Sequence, residues 1–214
     1  MLRKAVTGSL APGACRRASP PRTLLRGVDA LLTVCPTLPY QPRLIDIFMT
    51  IPNLNLAEFK SIEMDFDGAA CWGTVPAVPG WYAIETNAPL EVLAQCPVPA
   101  AGSLHYLIAK RLRNAEYMLG QGAVIVPASV GAPYIVYSGE HGDLKARARE
   151  HIRGSKGTGC LSLSQYEVAK SYQWTFHYRP CEEHAPGSEG NKTLRNYLEQ
   201  KWRAENGWPI LCSR

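Results

Sequence analysis

No Cys-x-x-Cys pair occurs in this chain, although it carries seven cysteines, at positions 15, 35, 71, 96, 160, 181 and 212. An odd and scattered set favours free thiols in a reducing compartment over a disulfide framework, so a cytoplasmic location is expected. Also missing is any apolar run near the ~18–20 residues of a membrane-crossing helix, which speaks against a spanning role. Acidic residues are absent before Asp29. Through Phe48 the cations Arg3, Lys4, Arg16, Arg17, Arg22, Arg26 and Arg43 face only Asp29 and Asp46, which accounts for the whole net charge of +5. The positive charge is therefore an N-terminal property and says nothing about the remainder of the chain.

What is present suits one domain with appendages, since 214 residues can bury one substantial core. Residues 1–48 are dense in Pro, Arg, Ser and Gly and keep no hydrophobic period, so they read as a disordered basic extension. A flexible arm or sequence upstream of a start at Met49 is favoured over an organelle-targeting segment, and a secretory signal is the weakest option. Residues 49–214 form the expected domain. Leu56, Phe59, Ile62 and Met64 suggest a short helix or helical turn leading to Phe66, broken at Gly68. Pro76 and Pro79 frame a strand from Gly80 to Thr86. An insertion at about 87–132 follows, with a short helix over Leu90 to Ala94 and a longer one through Leu104, Leu107, Ile108, Leu112, Ala115 and Leu119.

The chain is organised around residues 133–151. A β-prone run from Tyr134 to Tyr137 stops at Ser138-Gly139, turns through Glu140 to Gly142, and enters a helix capped by Asp143. On that helix Leu144, Arg147 and His151 share one face. A glycine-bearing loop with Arg153, Ser155 and Lys156 comes next, and its amides, hydroxyls and cations suit contacts to phosphate as well as they suit a solvated linker. Tyr172 to Tyr178 alternates as a further strand, Pro180 to Asn191 is a loop, and Thr193 to Glu205 is a helix closed by Asn206-Gly207.

Four separated pieces then stand in order: Gly80-Trp81-Tyr82, Tyr137-Ser138-Gly139, Leu144-x-x-Arg147-x-x-x-His151, and Leu198-Glu199 followed by Trp208-Pro209. In this order the chain resembles the GIY-YIG endonuclease family over residues 79–212. The resemblance implies a small α/β (α+β) domain with a three-stranded, mainly antiparallel sheet flanked by helices. It also implies metal-dependent hydrolysis of phosphodiester bonds in nucleic acid, DNA foremost. Tyr82, Tyr137, Arg147, His151 and Glu199 become the expected catalytic set, and Glu199 the ligand for Mg2+ or Mn2+. Lys145, Arg149, Arg153 and Lys156 become the expected nucleic-acid contacts, with specificity drawn from the insertion, the N-terminal arm, a homodimer or a protein partner.

The chemistry is consistent with these residue types. One or two carboxylates, with water and substrate phosphate, complete a magnesium shell. Arg147 offers a permanently charged fork to non-bridging oxygens. Tyr82 as a base for water requires a hydroxyl pKa lowered from its usual ~10 by the neighbouring cation and Tyr137. Catalysis also requires Tyr82 and Tyr137 on adjacent strands and Arg147 and Glu199 facing one groove; side chains of Glu199 and Arg147 on opposite sides of the sheet would sink the catalytic reading. Plain structural roles compete: core tyrosines, an ion pair of Glu199 with Arg195 or Arg203, and a helix-end His151.

Two departures from the family pattern stand out. The two tyrosine strands are separated by the insertion where a close hairpin is usual, although such insertions cost little closure entropy. Cys212 stands where an asparagine is common, and a cysteine is expected not to reproduce an amide's paired donor and acceptor, which would weaken catalysis or leave Asn206 to serve instead. The alternatives are a non-cutting nucleic-acid-binding module of the same fold and a zinc-stabilised interaction domain using Cys160, Cys181, His184 and Cys212.

Overall fold

The computed structural model describes residues 54–67, 71–97, 107–119, 124–155, 157–181 and 192–212. Residues 1–48, and with them the expected basic extension, lie outside the described residues.

The centre is a four-stranded antiparallel sheet of β1 (Lys60–Glu63), β2 (Gly80–Thr86), β4 (Tyr134–His141) and β5 (Trp174–Pro180), in the order β1-β5-β2-β4. A parallel pair, β3 (Val124–Ile125) with β6 (Trp208–Pro209), forms a second ladder that packs against β4. The α-helices are α1 (Leu90–Ala94), α2 (Ile108–Leu119), α3 (Leu144–Arg153) and α4 (Lys192–Asn206). No described helix is long and apolar enough to cross a membrane.

This is the expected mixed α/β class, with one more strand than the three foreseen. The extra strand is β1: the helical turn read at Leu56 to Met64 is only a 3-10 turn, Leu56–Glu58, before the backbone extends. Ile62 pairs with Phe176 and is half-buried, so the spacing that imitated a helix comes from a turn joined to an edge strand. The break expected at Ser138-Gly139 does not occur either. β4 continues to His141 because residues 138–141 pair with 80–83 of β2, and a full ladder outweighs local turn preference. The pairing of β2 with β4 survives the long insertion.

Helices cover both faces of the central strands, which explains why β2 is buried at nearly every position. On one face Tyr82, Ile84, Tyr137, Phe176 and Tyr178 pack with Leu144, Ala148 and Ile152 of α3. On the other, Trp81 packs with Leu198, and Ala83 and Ile135 pack with Trp202, both from α4. A register shift opposite Ile84 and Glu85 places Val136 and Tyr137 in succession against the α3-side core. Such a bulge re-aims a side chain, and here it sets Tyr137 beside Tyr82.

Asp143 caps α3 as expected, its carboxylate accepting the Ala146 N–H at 2.8 Å. The next free amides are taken from outside the helix: Leu144 donates to the Val78 carbonyl at 3.0 Å and Lys145 to that of Pro76 at 3.2 Å. The lead-in to β2 and the start of α3 are thereby tied together. Gly80 permits this approach, since a Cβ there would lie 2.4 Å from the Arg179 carbonyl oxygen and 2.6 Å from Leu144.

Candidate functional site

The α3 side of the sheet gathers four of the expected residues. Tyr82 is paired across the ladder with Gly139, and its ring lies over that glycine. Its hydroxyl oxygen accepts Arg147 Nε at 2.8 Å and lies 3.2 Å from His151 Nε2. The Leu161 N–H donates to His151 Nδ1 at 3.2 Å, so a neutral ring carries its hydrogen on Nε2 and donates it to Tyr82. Arg147 extends the network through Nη2 to the Tyr137 hydroxyl at 3.4 Å, and through Nη1 to Glu150 at 3.0 Å and the Thr158 carbonyl at 2.8 Å. Tyr137 donates to the Gly159 carbonyl at 3.2 Å. The two tyrosine rings stack with centroids 6.1 Å apart, and His151 stands edge-on to Tyr137 at 4.9 Å.

Burial controls the protonation states. Tyr82 is held well above the usual tyrosine value by burial first and then by Tyr137, with Arg147 pulling in the opposite direction. Tyr137 is also raised, mainly by burial. The lowered tyrosine pKa expected from the sequence is therefore reversed: the cation is in contact, but desolvation is the larger effect. His151 is pushed well below its ordinary value by burial, Arg147 and His141, in that order. The site combines two neutral phenols, a neutral imidazole and one buried guanidinium.

Gly139 is a packing requirement. A Cβ there would sit 2.4 Å from the Tyr82 hydroxyl and 2.6 Å from its ring. Gly139→Ala is expected to force the ring off Arg147 and to destabilise the domain by about 1–3 kcal/mol, read as a lower denaturation midpoint. An unchanged midpoint would mean that the ring has room to move.

Glu199 departs from the arrangement read from the sequence. It belongs to α4, which packs on the opposite face from α3, so Glu199 and Arg147 do not share one face of the sheet. The cause is the alternation of β2, which directs Trp81 and Ala83 to α4 while Tyr82 faces α3. Glu199 instead reaches the outer edge of β4, where its carboxylate accepts the Glu140 backbone N–H. Arg203, one turn further along α4, forms an ion pair with Glu199 and donates to the Ser138 hydroxyl at 3.0 Å and carbonyl at 2.8 Å. The two groups thus flank the edge of β4 from its two faces, with side-chain-free Gly139 between them. They remain close enough for Arg147 to lower the Glu199 pKa and for Glu199 to raise those of both tyrosines.

Burial pushes the Glu199 carboxyl up to about 7, against the pull of Arg203 and with a further push from Glu140. Between 4.5 and about 7 the folded protein therefore keeps a proton that the unfolded chain has lost, and this group's contribution to stability falls as pH rises. Glu199→Gln removes that slope. The stability of the variant relative to wild type should climb by up to ~1.4 kcal/mol per pH unit across the window, as measured by urea denaturation at several pH values. Parallel pH profiles would place the Glu199 pKa near its ordinary value.

The sequence reading missed several participants. Glu140, on β4, pairs with Arg195 at 2.9 Å and lies beside Glu199. Glu150 holds Arg147, and Ser138 holds Arg203, the ion-pair partner of Glu199. The pair of Glu199 with Arg203 is one that the helical spacing offers, and it forms; Glu150 is detectable three positions from Arg147, whereas Glu140 and Ser138 are turn-like by composition. Cys212 also differs from expectation: its thiol accepts the Ser138 N–H at 3.2 Å, lies 3.4 Å from the Ser138 carbonyl as a donor, and receives Arg203 Nη2 at 3.3 Å. A thiol here satisfies both a donor and an acceptor on the edge of β4.

Of the expected phosphate contacts, Lys145, Arg149 and Arg153 are exposed at spacings of four along α3, and Arg153 also lies over the Trp72 ring at 4.9 Å. Lys156 lies outside the described residues. Among the described residues, the three cysteines of the alternative zinc set do not come together. His184 is outside the described residues, Cys181 packs with Trp81 and Leu198, Cys160 contacts Ser155 and Ser162, and Cys212 sits at Ser138. No group of three His, Cys, Asp or Glu suited to a metal exists among the described residues. No family model, curated protein or solved structure matches this chain.

Proposed function

We propose that this domain is a GIY-YIG-like phosphodiesterase acting on nucleic acid, DNA foremost, with its reacting centre at the edge of β4. The observation that carries this reading is the convergence of Tyr82 with Tyr137, Arg147 and His151, from three elements in two distant segments, into one buried hydrogen-bonded network. The same residue types in the same order define the family resemblance. Gly80 and Gly139, the glycines of the two tyrosine motifs, each occupy a position where a Cβ would clash.

Arg147 serves as the donor for phosphate oxygens, because its guanidinium stays charged at any working pH. Tyr82 and His151 orient it, and the neutral phenols act as hydrogen-bond donors in place of a base. Lys145, Arg149 and Arg153 line up on the exposed face of α3, where they would hold the phosphate backbone. Glu199 fits a magnesium or manganese ion by donor type, with Glu140 as a neighbouring carboxylate and Arg203 bound at one oxygen. When bound, such an ion would supply charge at the phosphate and lower the pKa of a water. Since the carboxylate must be ionised to hold it, cleavage should rise with pH through about 7.

The helices of Arg147 and Glu199 cover opposite faces of the sheet, the arrangement that counts against catalysis; the phosphodiesterase reading rests on the interaction of Glu199 with Arg147 and both tyrosines across the edge of β4, and the separation favours a second reading, a module that holds nucleic acid without cutting it. Incubation of the purified full chain with duplex, single-stranded and branched DNA and with RNA, in magnesium and in EDTA, discriminates between them. Magnesium-dependent cutting supports the phosphodiesterase; tight binding with no product from any substrate supports the binder.

A further inference from the structure

Resting on the phosphate-handling role just given to Arg147, we propose that the backbone carbonyls of Thr158 and Gly159 occupy the positions of two phosphate oxygens and latch the site shut. Arg147 Nε is committed to Tyr82, and Nη1 is shared between Glu150 and the Thr158 carbonyl at 2.8 Å. The Tyr137 hydroxyl, which receives Nη2, is itself turned onto the Gly159 carbonyl at 3.2 Å. Two consecutive carbonyl oxygens therefore accept from the side chains that an incoming anion would need. Arg147 is only 5% exposed and His151 fully buried, so a phosphate reaches the network only when this segment moves.

An exchange of partners is chemically reasonable. The Arg147 bond to a carbonyl is assisted by one charge only, whereas phosphate adds the opposite charge and can pair with a guanidinium through two parallel bonds, so it competes for the same donors. The residues beside the two carbonyls are also suited to move, because Gly157 and Gly159 both have positive φ, at 78° and 64°. Their docked form depends on a left-handed backbone that other residues adopt only at a cost.

That dependence provides a test with an unusual sign. A Cβ at Gly159 or Gly157 would meet nothing within 4 Å, so alanine at either position fits sterically and penalises only the docked backbone. The left-handed penalty corresponds to about 5- to 30-fold in the docking equilibrium. Gly159→Ala, with Gly157→Ala as a second variant, should therefore bind inorganic phosphate up to that much more tightly than wild type. Arg147→Ala should lose the site. Binding would be followed through the Arg147 Nε–H signal and the amides of residues 157–161, and hydrogen exchange of those amides should accelerate in both glycine variants. Unchanged or weaker phosphate affinity in both would overturn the latch, as would failure of phosphate to reach Arg147 in any variant. Tighter phosphate binding without cleavage of any nucleic acid would uphold the latch and refute the phosphodiesterase.

Discussion

Arg147→Ala should slow cleavage of bound substrate by on the order of 10²–10³-fold while weakening substrate binding far less. A donor aimed at charge that develops during phosphoryl transfer contributes mostly at the transition state, and this guanidinium is already held in a low-dielectric setting. The exposed cations should behave in the opposite way. Lys145→Ala, Arg149→Ala and Arg153→Ala should each weaken binding and make the salt dependence shallower, with little change in the rate of the bound complex. Single-turnover cleavage in magnesium and equilibrium binding in calcium separate the two classes. Equal losses of rate and affinity in Arg147→Ala would make Arg147 a binding residue. Because Tyr82 and Glu150 lose a buried partner in this variant, its folding must be checked by thermal unfolding.

Glu199→Gln is expected to abolish magnesium-dependent cleavage while leaving the fold intact. The amide preserves volume but is a much poorer ligand for a hard dication. Arg203 loses its ionic partner yet keeps the Ser138 hydroxyl, the Ser138 carbonyl and the Cys212 sulfur, and its guanidinium still lies over Trp208 at 4.7 Å. Loss of activity with retained unfolding cooperativity would place Glu199 in the chemistry. Full activity in the variant would remove Glu199 as the metal ligand. Glu140→Gln would then be the next variant to assay, because Glu140 stands beside Glu199 at the same edge.

Much of the local structure was legible in the chain itself. Strand β2 and helix α1 fall where periodicity placed them, and the Asp143 cap of α3 is an i to i+3 contact that sequence spacing reports directly. The common face of Arg147 and His151 follows from helical geometry alone. The N-terminal location of the net charge is likewise a matter of composition.

Tertiary structure decided the rest, because each remaining feature depends on partners far away in sequence. The residues Ser138 to His141, turn-like by composition, became strand because β2 offered them a complete ladder. Tyr137 reached the α3 face through a bulge that no periodicity records. The hydroxyl pKa values were decided by burial, which only the packed core sets, and it outweighed the cation beside them. The spacing of α4 located Glu199 on a helix, but the sheet face that helix covers depends on which strand residues point toward it. That choice moved Glu199 from a shared groove to the outer edge of β4, beside Ser138 and Glu140.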